Sequence, residues 1–378
     1  MLKRIYQWLA MLSICMAAGL SLSGCTQEIQ QANLPDPREK APADEETGKK
    51  KTVPIVLGSE SFEKVYGWAD EDTILYSAAK GGKHHIYTHH ITTGASREIF
   101  QTEAPIVSIL LHPNRQKLLI HTAPNTYAAT ITITDLSGNA EYTTDIESYE
   151  LAYEWNEKDS SSIAITAFYE DWSFEQFYLD LNSKELQTIS TGQPFVKWLG
   201  EGWLLQQEWK EEDAAFFAPL VKVPLEGTGQ HEVLFEEVFR FDAFDGLLMT
   251  TSIPDEKGET LNYQFYGSSM ELMSSFEVPS LSQYSDWLIP YYDYTAQAGE
   301  LITLVPEHSG AADQYAEGFQ LWKWDVSSGE SKQLFAGLDN MPLSCSPAGT
   351  VCLYGHRLEE LLMLDSGERI KLVKKEEK

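Results

Sequence analysis

The stretch HIYTHHITTGASREIF, residues 85–100, lies over QLWKWDVSSGESKQLF, residues 320–335, without a gap. Ile86 falls on Leu321, Tyr87 on Trp322, Gly94 on Gly329 and Phe100 on Phe335. Each copy reads as two strands joined by a tight polar turn, because apolar residues alternate on either side of a Ser/Thr/Gly cluster. The same unit recurs as TITITDLSG from Thr130, FYLDLNSKELQTIS from Phe177, VKVPLEGTGQHEVLF from Val221, YQFYGSSMELMSSF from Tyr263 and LLMLDSGERIKLV from Leu361. The copies number seven.

Other hairpins lie between these copies: WADEDTILYS from Trp68, HPNRQKLLIH from His112, WNEKDSSSIAIT from Trp155, WLGEGWLLQ from Trp198, FDAFDGLLMT from Phe241 and SPAGTVCLYG from Ser346. A longer version surrounds DWLIPYYDYTAQAGELITLV from Asp286. One unit is therefore four short strands over roughly 40 to 58 residues, near the period of a propeller blade. No helical periodicity competes after residue 52, and aromatic residues make up 12% of the chain, as suits strands. A four-stranded unit cannot cover both its faces alone, so the units are expected to stack around an axis. The expected fold is an all-β propeller of four-stranded blades, seven by count with six as the alternative.

The turns SPAG and DVSSG resemble those of TolB-type propellers. Together with the N-terminal features below, the chain resembles the YqgU-like lipoproteins of Bacillus-type bacteria. The resemblance implies a six-bladed propeller and carries no established activity.

Residues 1–24 read as an export signal: Lys3 and Arg4 precede an apolar run from Ile5 to Leu20, and SLSG leads into Cys25. The run is shorter than the roughly 20 residues that span a bilayer. LSGC resembles the lipobox of bacterial lipoproteins, which implies diacylglycerol on Cys25 as the sole covalent cofactor, its two acyl chains enough for durable anchoring. Residues 25–52 then read as the lipidated N-terminus and a polar, disordered tether with a reach of roughly 30 Å. The propeller is assigned to residues 53–373 and a charged tail to 374–378. The expected location is the extracytoplasmic face of the cell membrane.

The whole chain carries a formal charge of -29, and losing Lys3 and Arg4 with the signal makes it -31. Such a surface repels phosphate backbones, so nucleic acid is excluded as a partner, and the membrane is held through the lipid. The histidine-rich HHIYTHH, residues 84–90, raises the question of a metal. His85 and His89 share a strand face but stand about 13 Å apart, too far to share one ion. His90 occupies the place of Asp135, Asp180, Asp325 and Asp365 in other units, and His89 that of Trp324 and Leu364, which suggests packing between blades. No metal site is assigned. Catalytic motifs of the G-x-S-x-G, H-E-x-x-H and phosphate-loop types are missing, so no catalytic residue is assigned either.

Cys345 and Cys352 flank SPAGTV on adjacent strands. They form a disulfide if the register sets them opposite, and otherwise stay buried thiols facing different ways. The loops between the second and third strand of each blade open on one face, with those from the fourth strand to the next blade. The long ones are 168–176, 208–219, 253–262 and 306–318. Trp172, Phe174, Trp209, Phe216, Phe217 and Tyr315, interleaved with Glu170, Asp171, Glu211, Glu212 and Asp213, are the candidate binding rim. The alternative is that these aromatics fold back as caps. The preferred reading is a non-enzymatic module that binds an envelope protein or peptide. An envelope hydrolase or lyase at the channel mouth, and a small-molecule or cation sensor, remain open.

Overall fold

The computed structural model describes residues 51–210, 215–225, 231–244, 246–255, 257–284 and 286–375. Cys25, the signal and the tether up to residue 50 therefore lie outside the described residues, as do Glu211, Glu212 and Asp213. Among the described residues the strands form seven four-stranded antiparallel sheets. They span residues 61–102, 106–147, 150–189, 197–238, 240–279, 292–338 and 343–371, and are numbered blades 1 to 7 in that order. First strands of neighbouring blades touch one another, so they line the axis. The seven units counted in the sequence are the seven blades.

Burial along each blade follows from this arrangement. Second strands are covered on both faces by neighbouring sheets, and are mostly apolar and almost continuously buried, as in Ser162–Phe168 and Val351–Tyr354. Fourth strands form the outer edge and alternate, as Ala140–Glu147 does. One buried apolar cluster fills each seam among the described residues: blades 1/2, 2/3, 3/4, 4/5, 5/6, 6/7 and 7/1.

Among the described residues no blade is shared by the two ends of the chain. Closure comes instead from Ile55–Leu57 pairing in parallel with Val373–Lys375. Ile55, Leu57 and Leu372 are buried in the 7/1 cluster with Trp68, Tyr76, Leu353 and Leu361. Strand pairing thus runs to Lys375, past the boundary expected at residue 373, because Val373 and its neighbours have a partner strand.

The turns between third and fourth strands explain the aligned Asp and His residues. Asp325 Oδ1 accepts the backbone N–H groups of Ser327 and Ser328, at 2.9 and 2.8 Å, and Asp135 Oδ1 does the same for Ser137 and Asn139. His90 Nδ1 takes this role in blade 1, accepting from the Thr92 N–H and hydroxyl at 3.4 and 3.1 Å. Gly138 closes its turn with φ +88°, and a Cβ there would lie 1.7 Å from the Ile99 carbonyl oxygen.

Loop 306–318 is not an open loop. Gly310–Ala311 within it pairs with Leu281–Ser282, which pairs in turn with Trp287–Leu288, giving a small three-stranded sheet beside blades 5 and 6.

Removing side-chain bulk at the closure tests its importance. Leu372→Ala should destabilise the protein by about 2–5 kcal/mol, as a cavity in a filled seam does, read as a lower urea midpoint with an unchanged slope. Arg97→Ala, on the exposed outer strand of blade 1, loses only an exposed bond to the Leu136 carbonyl and should change the midpoint little.

Candidate functional site

All connections from second to third strands, and from each fourth strand to the next blade, emerge at one end of the sheets. Among the described residues, fourteen large hydrophobic side chains are exposed, and nine sit on these connections or the strand ends beside them: Val107, Tyr127, Tyr149, Trp172, Phe174, Phe195, Phe216, Tyr284 and Tyr291. The patch is densest over blades 2 to 4. Tyr127 and Tyr149 have ring centroids 6.3 Å apart, the Tyr149 N–H donates to the Phe168 carbonyl, and Phe168 lies 6.3 Å from Phe174 and 5.5 Å from Phe195.

Trp172 is 76% exposed and has a φ of 65°, a left-handed backbone that suits glycine and strains a bulky residue. The turn holds it there. The Trp172 N–H donates to the Tyr169 carbonyl, the Tyr169 N–H to the Ser173 carbonyl, and Asp171 Oδ1 accepts from the Ser173 N–H and hydroxyl at 3.0 and 2.6 Å. An indole is thus projected into solvent on a rigid hairpin. Glu147, Glu150, Glu170, Asp171 and Glu175 surround it, all exposed. Lys210 is an exposed base on the blade 4 connection, whereas Lys197, on the innermost strand of that blade, bonds to carboxylates in the channel.

The remaining rim residues do not all behave alike. Phe216 is exposed yet stacks edge-on against Trp287 at 5.9 Å, whereas Phe217 is half-buried against Phe239 and Trp287. Tyr315 is tied inward: its hydroxyl donates to the Gly318 carbonyl at 2.6 Å and accepts from the Glu307 N–H at 2.7 Å. Trp209 is half-buried, and its carbonyl accepts from Gln193 Nε2. Phe217, Tyr315 and Trp209 therefore serve as caps over the blades. Tyr127 and Tyr149 ride on two-residue connections, and Phe195 on residues 190–196, which carry no acid, so none stands out in the sequence as an acidic, aromatic loop. Beside Tyr149 a groove of ≈ 530 Å³ opens between blades 2 and 3, lined by Val107, Ala128, Leu151, Tyr153 and His121.

The histidine-rich strand does not gather ligands for an ion. Ser96 donates its hydroxyl to His89 Nδ1 at 2.8 Å, and His89 Nε2 donates to the Val53 carbonyl at 2.9 Å. Burial lowers the proton affinity of this ring, so it stays neutral and pins the entry of the chain to blade 1. His84 pairs with Glu63 and His85 lies beside Glu98. Among the described residues no three His, Cys, Asp or Glu side chains cluster as a metal site. Cys345 and Cys352 are direct register partners and are joined as a disulfide.

A second arrangement lines the channel. One position on each innermost strand faces the next blade: Gly67, Leu110, Glu154, Lys197, Asp242, Asp293 and Ser344, paired with Leu75, Leu119, Ala164, Leu205, Met249, Ile302 and Leu353. Lys197 Nζ bridges Glu154 and Asp242 at 3.2 and 3.0 Å, the Tyr292 hydroxyl donates to Asp242 at 2.8 Å, and Asp293 accepts the Cys345 N–H at 2.6 Å. Burial, with Asp242 close by, pushes the Glu154 carboxyl up to about 7 despite Lys197. One ammonium between two enclosed carboxylates leaves a surplus negative charge, so a proton is held more tightly. Burial likewise pushes Asp293 up to about 6, against the Cys345 and Tyr294 N–H groups that favour its anion. Burial disfavours the Lys197 ammonium, but Glu154 and Asp242 outweigh it and hold the lysine charged.

The comparisons with known proteins fit this architecture. Residues 90–355 match the family described as the YqgU-like 6-bladed beta propeller domain. The chain belongs to that family. The matched span holds blades 2 to 6 whole and parts of blades 1 and 7, and the chain has one four-stranded sheet more than the family description counts. The uncharacterized lipoprotein YqgU of Bacillus subtilis (strain 168) is 26% identical over 353 residues, covering 93% of this chain and 94% of that one. The crystal structure of the uncharacterized protein lmo1340 from Listeria monocytogenes EGD-e superposes with a TM-score of 0.80 at 20% identity, over 87% of this chain and 99% of that one. The propeller domain of the trilobed protease from Pyrococcus furiosus, described as having an open velcro topology, follows at 0.53 and 16% identity, over 84% of this chain and 99% of that one. These likenesses in structure show the fold.

The raised carboxyls set a pH dependence. Unfolded, both ionise near their ordinary values, so between about pH 4 and 7 the folded protein holds more protons than the unfolded chain. Their contribution to stability is full below pH 4 and is lost as pH rises through 6 to 7. Glu154→Gln should remove part of that fall, on the order of 1–3 kcal/mol, in urea unfolding measured from pH 4.5 to 7.5.

Proposed function

We propose that the protein is a lipid-anchored, extracytoplasmic propeller that captures an envelope protein or peptide on the acidic, aromatic face of blades 2 to 4, without catalysing a reaction. The observation that carries this reading is Trp172, held out at 76% exposure on a strained but fully bonded turn. Backbone strain with no packing return suits a contact residue. The partner surface that fits is basic or polar with an apolar centre, since five carboxylates ring Tyr149, Trp172, Phe174 and Phe195. The groove beside Tyr149 offers a pocket for one anchoring side chain.

The anchor rests on the lipobox LSGC at Cys25 and on a relative named as a lipoprotein. The Cys345–Cys352 disulfide fits a compartment outside the cytoplasm. The strong negative charge disfavours nucleic acid and anionic lipid as partners of the folded part. A hydrolase or lyase reading has the raised Glu154 and Asp293 on its side, but Lys197 and the Cys345 N–H engage those carboxylates in joining blades.

Cys25→Ser should release the protein from membranes or block its maturation, as membrane fractionation reads. An unchanged, membrane-bound mutant would remove the anchor from this account.

For the face, photo-crosslinkers at positions 172 and 195 should trap one common partner in cells, and one at position 328, on the opposite face, should not. With that partner purified, Trp172→Ala and Phe195→Ala should each weaken binding by roughly tenfold without changing the circular dichroism. Raising salt should slow association more than it speeds dissociation, because the acids act at long range. Equal crosslinking from both faces would sink the proposal.

A further inference from the structure

The channel is filled on one side only. Glu154, Lys197 and Asp242 span blades 3 to 5, while the same ring position carries Gly67 in blade 1 and Ser344 in blade 7. Those two small residues leave a chamber of ≈ 560 Å³ at the end opposite the aromatic face. This volume is within the range of small-ligand sites. Its walls are the turns that follow the innermost strands, at 112–115, 294–297 and 344–347.

The chemistry of the chamber is selective. Tyr66, Trp68, Phe244 and Tyr294 supply aromatic surface, with Phe244 and Tyr294 rings 4.7 Å apart. Its charged lining groups are Asp293, Glu157 and Arg115. The guanidinium of Arg115 donates to the Trp68 carbonyl and lies in the field of Glu71, Asp293 and Asp70, so with Glu157 the carboxylates around it outnumber its one positive charge. His112 also has both nitrogens engaged: Nε2 donates to the Asn156 carbonyl at 2.8 Å and Nδ1 accepts the Asn114 N–H at 3.0 Å. The remaining field is negative and the walls are aromatic. An anion is repelled there, and a bare divalent ion finds no set of three ligands among the described residues. A cation with an apolar coat satisfies both features, through carboxylates and ring faces together.

We propose that this chamber binds a small organic cation of the alkylammonium class. The site is separate from the protein-binding face and lies at the other end of the axis. Cation and partner can therefore be bound at once.

Isothermal titration of the purified full-length protein tests it, with choline and spermidine as cations, 3,3-dimethylbutan-1-ol as the uncharged shape of choline, and inorganic phosphate as an anion. One or both cations should bind saturably at one site, the neutral alcohol roughly tenfold or more weakly, and phosphate not at all. Asp293→Asn, isosteric and still able to accept the Cys345 N–H, should weaken the cation by roughly fivefold or more. Ala296→Trp, at an exposed turn of the chamber wall, should abolish binding while the melting temperature stays put, and it keeps the test valid if Asp293→Asn fails to fold. Absence of saturable cation binding, equal binding of the neutral alcohol, or wild-type binding by Ala296→Trp would overturn the proposal.

Discussion

The structure depends on one constraint: a four-stranded sheet with two apolar faces has nowhere to put them except against two other such sheets. Each second strand here is apolar on both sides, so an isolated blade would leave a row of Ile, Leu and Val in water on each flank. A linear stack would solve this everywhere but at its ends. Closing the ring removes the ends, and the apolar clusters accordingly follow the seams one by one. The 7/1 seam carries the extra parallel pair, where two blades remote in sequence must meet with no covalent link between them.

Apolar seams are slippery, because dispersion has no direction. Direction comes from a polar belt around the axis. Arg115 reaches the Trp68 carbonyl across the 1/2 seam, and His112 the Asn156 carbonyl across 2/3. Glu154 with Lys197, then Lys197 with Asp242, then Tyr292 with Asp242 cross the next three. Asp293 accepts the Cys345 N–H across 6/7, and Trp68 Nε1 donates to the Ser344 carbonyl at 2.9 Å across 7/1. Each bond fixes the height of one blade against the next, which side-chain packing alone leaves free. The belt occupies the partly wetted channel, where Lys197 keeps 32% of its side chain exposed and the desolvation cost of the charges is only part of that in a dry core.

The blade repeat was legible because each blade needs the same turn at the same place. Asp135, Asp180 and Asp325 recur for that reason, and His90 aligned with them because an imidazole nitrogen can accept the same N–H. The clustering of histidines that suggests a metal is thus partly a matter of turn chemistry. What the sequence hid is what depends on neighbours in space. Whether Phe217 and Tyr315 point out or in rests on Phe239, Trp287 and Gly318, which no local pattern announces. Tyr127 and Tyr149 sit on two-residue connections and Phe195 on one without acids, and they become a patch only when blades 2 to 4 fan them together. Glu154, Lys197, Asp242 and Asp293 are ordinary charges until the innermost strands are aligned with one another.

Rigidity links the belt to the aromatic face. A partner that lands on Tyr149, Trp172 and Phe195 touches three connections borne by blades 2, 3 and 4. If those blades rocked independently, binding would have to order them and would lose affinity to that entropy. The 2/3 seam is tied by His112 to the Asn156 carbonyl, and the 3/4 seam by Lys197 to Glu154 and by Trp198 Nε1 to the Glu154 carbonyl at 2.9 Å. Charges in the channel, which touch no partner, therefore hold the aromatics of the outer face in one arrangement. Loosening Glu154 or Lys197 would act on recognition through geometry, with every contact residue still in place.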